Sequence, residues 1–264
     1  MSLSLTSSEA TSEPIRSTAH YYKPKINLNM PKLLGRSQHQ YTRVPVNELF
    51  KAVDNGRGKY RAIICIAWLS MFWDGWKPRR GSKRVKSEKV LFTRRMMKNQ
   101  FGYSEDLIRR GLADLKRANR ITVQTQGFYT GHHNSGTYYK LEWMPGKHSQ
   151  KINLYWGLMA SKVFLSLSVT LQAVLLMLHT IHFRKENRLT IKPNSLDKFK
   201  VSRKKLPRYI DELKSAGLLD IVDENTYSFT WIDLKGKPDF ERLQTEATVR
   251  RIKNSVPNCT KQCP

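Results

Sequence analysis

Lys89 to Gln126 reads KVLFTRRMMKNQFGYSEDLIRRGLADLKRANRITVQTQ, and Arg188 to Val222 reads RLTIKPNSLDKFKVSRKKLPRYIDELKSAGLLDIV. The two stretches carry one local pattern. Each opens on a short aliphatic segment and continues through two helix-forming runs joined by a tight turn. Each then ends in alternating residues that suit a hairpin. An apolar, helix-like run precedes both copies.

In the first copy, Val90 to Phe92 form a short strand that returns to pair with the hairpin. Thr93 is placed to cap a helix through Gln100, and Gly102 supplies the turn, where positive φ is often needed. Ser104 begins the next helix, with Glu105 and Asp106 favourable in its first turn. Leu107, Ile108, Leu112 and Leu115 share its buried face, while Arg109, Arg110, Asp114, Lys116 and Arg117 point elsewhere. Ile121 to Gln126 and Thr137 to Trp143 alternate as two antiparallel strands around the tip Gly127 to Gly136. The apolar run from Tyr60 to Trp73, which contains Cys65, reads as this copy's buried first helix, after an extended piece and helix over Val44 to Val53.

In the second copy, the first helix runs from about Ser168 to Phe183 and the strand over Leu189 to Lys192. Asn194 is placed to cap Ser195 to Phe199, and Ser202 to cap Arg203 to Ser215. Pro207 argues that this last helix starts late or kinks. Gly217 is the expected left-handed stop. Leu218 to Val222 and Tyr227 to Ile232 then form a hairpin with an acidic tip at Asp223 and Glu224.

The chain carries 47 lysines and arginines against 21 acidic residues, a net charge of +26. Such an excess attracts polyanions, with nucleic acid first and an anionic membrane surface second. The 264-residue length suits two compact domains plus tails. We expect an arm over 1–40 without folded structure, domains over 41–145 and 151–234, and a charged tail over 235–264. Val163 to Phe183 has the length of a bilayer span, but its serines, threonines and histidines weigh against one. The N-terminus lacks the apolar core of a signal peptide. Cys65, Cys259 and Cys263 build neither a disulfide framework nor a zinc site, so a reducing, cytoplasmic or nucleoid-associated setting is expected. No phosphate-binding loop or nucleophile motif is present, and His179 with His182 lacks a third ligand. The expectation is therefore no enzyme, no cofactor, no metal and no small-molecule substrate.

Both copies resemble the winged helix-turn-helix superfamily. Their tandem arrangement is similar to that of plasmid-type replication initiators and mobile-element regulators. The resemblance implies an α+β fold of two winged domains that binds double-stranded DNA, often as a homodimer on repeated or palindromic sites. It places Ser202, Arg203, Lys204, Lys205 and Arg208 at base edges in the second domain, with Ser104, Arg109 and Arg110 at the matching positions of the first. Arg94, Arg95 and Lys98 would meet phosphates. The loop Lys77 to Lys89, with Arg79, Arg80, Lys83 and Arg84, would cross the backbone or enter a minor groove, as would His132 and His133 at the hairpin tip. The acidic start of the first domain's helix makes the second domain the expected reader. Two rivals remain open: an interaction scaffold, with Leu176 and Met177 as exposed apolar docking residues, and an RNA-binding protein.

Overall fold

The computed structural model describes residues 38–53, 58–73, 89–125, 129–130, 133–134, 137–143, 150–182 and 186–240, which mix helix and strand. The expectations for the N-terminal arm, the basic loop, most of the hairpin tip, the linker and the tail after Phe240 lie outside these residues.

The first unit opens with β1 (Tyr41–Pro45), α1 (Val46–Val53) and α2 (Lys59–Trp73). Next come β2 (Lys89–Phe92), α3 (Arg94–Phe101), α4 (Glu105–Arg117) and β3 (Ile121–Thr125). A short ladder of β4 (Tyr129–Thr130) with β5 (His133–Asn134) precedes β6 (Thr137–Leu141). The second unit runs β7 (Lys151–Tyr155), α5 (Trp156–Met159), α6 (Lys162–Ser166) and α7 (Val169–His179). It continues through β8 (Leu189–Thr190), a 3-10 turn at Asp197–Phe199, α8 (Leu206–Ser215), β9 (Leu219–Asp223) and β10 (Thr226–Phe229). Each unit has a three-stranded antiparallel sheet with its final strand central, in the orders β2-β6-β3 and β8-β10-β9.

The punctuation is local chemistry. Thr93 Oγ1 accepts from Met96 N at the start of α3, and Gly102 ends it at φ 73°. Ser104 caps α4 by accepting from Leu107 N, and Ser168 caps α7 by accepting from Leu171 N. Gly217 stops α8 at φ 77°.

The ends of α4 and α8 share their backbone bonds at equivalent positions, Ala118 N to Asp114 O as Ala216 N to Glu212 O, and Asn119 N to Lys116 O as Gly217 N to Lys214 O. Arg120 N donates to Leu115 O as Leu218 N does to Leu213 O, at 2.8 and 3.0 Å. Asn119 and Gly217 are both left-handed, as are Gly102 and Lys200. Each hairpin carries a bulge at the fourth residue of its first strand, Gln124 in β3 and Val222 in β9.

The leading strands join the units. β1 pairs antiparallel with β7, Tyr41 opposite Tyr155, Arg43 opposite Asn153 and Pro45 opposite Lys151. When Tyr41–Pro45 is aligned with Lys151–Tyr155, every pair is reciprocal and Arg43 faces its own counterpart. That is the register of a twofold, isologous contact, here made within one chain.

The first helices repeat the arrangement, because α2 packs directly on α7. Both are apolar all round, which only burial on every side explains. Leu176 and Met177 are accordingly fully buried, so the expectation of exposed docking residues fails: the face away from their own unit is covered by the other. Trp156 of the second unit sits among Trp68, Phe72 and Phe101 of the first, ring centroids 5.8–6.1 Å away. Among these apolar groups runs one polar relay. Trp68 Nε1 donates to the Tyr103 hydroxyl at 3.1 Å, and that hydroxyl donates to Gln172 Oε1 at 2.7 Å. Gln172 Nε2 then donates to the carbonyls of Phe164 and Leu167 at 3.1 Å each.

Three further expectations are corrected. Asp114 is buried, because Arg61 Nε donates to it at 2.5 Å from α2 and Arg117 approaches at 3.4 Å. Asn194 caps no α-helix: Ser195 Oγ instead accepts from Lys192 N, and only a 3-10 turn follows. α8 begins at Leu206 rather than Arg203, with Pro207 in its first turn, so Ser202 is not its side-chain cap. No helix among the described residues is long and apolar enough to cross a membrane. Leu167 and Ser168 break the candidate span between α6 and α7.

The relay gives a stability test. Gln172→Leu leaves the Tyr103 hydroxyl proton without an acceptor and removes a donor from the Leu167 carbonyl, and should cost about 1–3 kcal/mol in urea unfolding. Tyr103→Phe should cost about 1–2 kcal/mol, and the double variant less than the sum, since both remove one shared bond. Additive losses would show that the relay does not couple the units.

Candidate nucleic-acid interface

The turn and first helical residues of α4 and α8 are the same construction with opposite polarity. Ser104-Glu105-Asp106 occupies the positions of Ser202-Arg203-Lys204. In the first unit the cations are locally matched. Asp106 takes Arg109 at 2.6 Å and Arg110 at 2.8 Å, and Lys98 reaches Glu105 at 3.1 Å. Arg109, and after it Arg110, hold the Asp106 carboxyl below the usual carboxylate range. Ser104 Oγ is engaged as the cap.

In the second unit the bridge between turn and helix is reversed. Arg203 forks onto Asp197, with Nε 3.1 Å from both carboxylate oxygens and a second, closer contact from Nη2. Arg203 lowers the Asp197 carboxyl, and Asp197 in turn raises the guanidinium. The fork aims the arginine while leaving it exposed. Arg208 pairs with Glu212 one turn on, at 2.7 Å. Lys204 and Lys205 are exposed and form no ion pair among the described residues. Ser202, also exposed, turns its carbonyl to Lys205 N and Leu206 N at 3.0 and 3.1 Å. The cationic run thus sits on a rigid elbow just before α8.

Arg94 and Arg95 lie exposed in the first turn of α3, with Lys98 a turn later. His133 falls in β5, paired with Thr130. Arg79, Arg80, Lys83, Arg84 and His132 lie outside the described residues.

The structure adds a basic junction that no local pattern marks. Lys59, at the start of α2, donates to the carbonyls of Phe199 and Lys200 at 3.5 and 2.5 Å. Burial, and then Lys200, lower its pKa. Lys198 lies 4.5 Å over the Phe50 ring, which contacts Phe199 at 4.4 Å, and burial lowers that lysine as well. Three lysines from two units therefore share one seam, flanked by Tyr60 and Tyr209. The Tyr60 hydroxyl is pushed up to about 12 by burial and by its bond to Tyr209. The partners are some 140 residues apart in sequence, so no helical or strand periodicity reveals the seam.

His179 and His182 stack at 5.9 Å beside Phe229, and no cluster of three or more metal-binding side chains exists among the described residues. No protein-family model, curated protein or solved structure matches the chain.

The seam has an alkaline signature. Tyr60 titrates near 12 folded and near its ordinary 10.0 unfolded, so its contribution is complete below pH 10 and is lost as pH rises toward 12. Tyr60→Phe should flatten the fall of unfolding free energy across that window. An unchanged slope would assign the fall to the other groups that burial pushes up, Cys65, Tyr103 and Tyr139.

Proposed function

We propose that each unit is a winged helix-turn-helix and that the chain binds double-stranded DNA site-specifically, with the second unit as the principal reader. The observation that carries this reading is the exposed run Ser202–Lys205 on its elbow before α8, where two lysines lack acidic partners and an arginine is held in an aimed fork. Arg203 presents a planar donor pair suited to guanine O6 and N7. Lys204, Lys205 and Arg208 supply charge to the flanking phosphates. Arg94, Arg95 and Lys98 do the same for the first unit, and Lys59, Lys198 and Lys200 serve the backbone between the two. Affinity comes from phosphate neutralisation, and selection comes from the few groups that reach base edges.

The reciprocal contacts of the two units support a pseudo-palindromic site read by a single chain, with half-sites of unequal strength because Glu105 and Asp106 replace Arg203 and Lys204. The biological role that suits this reading is a replication initiator or transcriptional regulator of a plasmid or other mobile element, as the tandem resemblance implies.

Selection from a random duplex pool at roughly physiological salt tests the reading, because non-specific attraction is partly screened there. The expected result is an enriched motif. Arg203→Ala should then relax discrimination at one position by about 1–3 kcal/mol, whereas Lys204→Ala or Lys205→Ala should weaken all duplexes and lower the salt slope by about one. Tight binding without enrichment, or preference for an RNA duplex of matched sequence, would overturn it.

A further inference from the structure

The outer faces of the two three-stranded sheets differ in a way that DNA binding does not use. On the second sheet, a shallow groove is lined by Glu186, Asn187, Arg188, Val222, Ser228 and Leu234. Val222 is the bulged residue of β9 and is 41% exposed, while Leu234 is 83% exposed. Within the groove Arg188 is matched by Glu186 at 3.8 Å; the hairpin Leu219–Phe229 beside it holds Asp220, Asp223 and Glu224 and not one lysine or arginine, in a chain of net charge +26. An acidic, apolar surface of this kind repels a phosphate backbone and suits a cationic protein surface carrying apolar side chains.

The first sheet supplies one. Its outer face pairs Leu91 with Tyr138 across β2 and β6, at 45% and 40% exposure. Lys140 stands on the same face two residues along β6, and Arg94 and Arg95 follow the end of β2. Lys140 is bridged by Glu142 at 3.6 Å and remains half exposed. Leu91, Tyr138, Val222 and Leu234 are all exposed within one chain, so the two faces do not cover each other.

We propose that copies of this chain associate head to tail, the acidic apolar face of the second sheet seating on the basic apolar face of the first sheet of the next copy. Such a contact is heterologous. It does not close on itself, and it propagates a row of copies rather than a symmetric pair. Each face exposes only a few apolar side chains, which places the contact among weak, salt-sensitive interfaces. It shares Arg94 and Arg95 with the phosphate contacts proposed above but uses none of the residues of the turns before α4 and α8, and the variants that test it leave both arginines in place.

Sedimentation of the full chain without DNA, at low and high ionic strength, tests this with two charge-reversed variants. One carries Glu186→Lys with Asp220→Lys, and the other carries Lys140→Glu. The wild type should self-associate at low salt, and either variant alone should do so more than about tenfold more weakly. Mixing the two should restore association, since each then offers the other a complementary face. All substituted side chains are at least partly exposed, and an unchanged melting temperature checks the fold. A wild type that stays monomeric at low salt, association untouched by either variant, or a mixture that does not recover would each overturn the proposal.

Discussion

The structure depends on the crossing of α2 and α7 and on the single polar relay inside it. Two helices that are apolar on every side offer each other no preferred register, since one oily surface slides on another at little cost. The bond from Tyr103 to Gln172 restricts that freedom, because a slip parts a buried hydroxyl donor from the amide oxygen that accepts from it. The close approach of α4 to the same helix has a steric counterpart. A Cβ on Gly111 would fall 2.5 Å from Cys65 Sγ. The N-terminal end of α2 then touches the corresponding segments of both units, gripping α4 through Arg61 and Asp114 and the second unit's turn through Lys59. Both candidate reading surfaces are thus carried by one rigid element.

The arrangement has the logic of a dimer written into one chain. Reciprocal pairing of β1 with β7, the packing of like helices and equivalent bulges in the two hairpins all follow from two copies of one plan meeting around a local axis. The bridge between turn and helix survives in both units with its charges exchanged, Lys98 to Glu105 in one and Arg203 to Asp197 in the other. The geometry of the elbow is kept while the sign of its surface is reversed.

How much of this was legible in the sequence follows from the range of the interactions. Caps and stops are decided within four residues, so Thr93, Ser104, Gly102 and Gly217 were read from their neighbours alone. Pro207 announced a late helix start but not its first residue. Asp114 was misread because a carboxylate on the edge of an amphipathic stripe looks solvated until an arginine from another helix is known to meet it. Leu176 and Met177 were misread for the converse reason: surplus apolar residues signal a partner, and the partner was the chain's own other half. The pairing of β1 with β7 and the lysine seam at Lys59, Lys198 and Lys200 join residues over 100 positions apart, where periodicity carries no information.

The exchange of charges also constrains the electrostatics of the proposed complex. A net charge of +26 distributed evenly would bind any duplex equally and select none. In the first unit Asp106 alone engages two arginines and Glu105 engages a lysine, so α4 offers little unmatched charge near its start. In the second unit the one acidic partner near the elbow, Asp197, serves to aim Arg203 rather than to cover the neighbouring lysines. Field and directional donors therefore coincide at one elbow and not at the other. In the proposed complex, a frame with one strongly and one weakly charged elbow would set the direction in which a single chain lies on an otherwise symmetric duplex. That polarity is what a head-to-tail row of copies would require of each of its members.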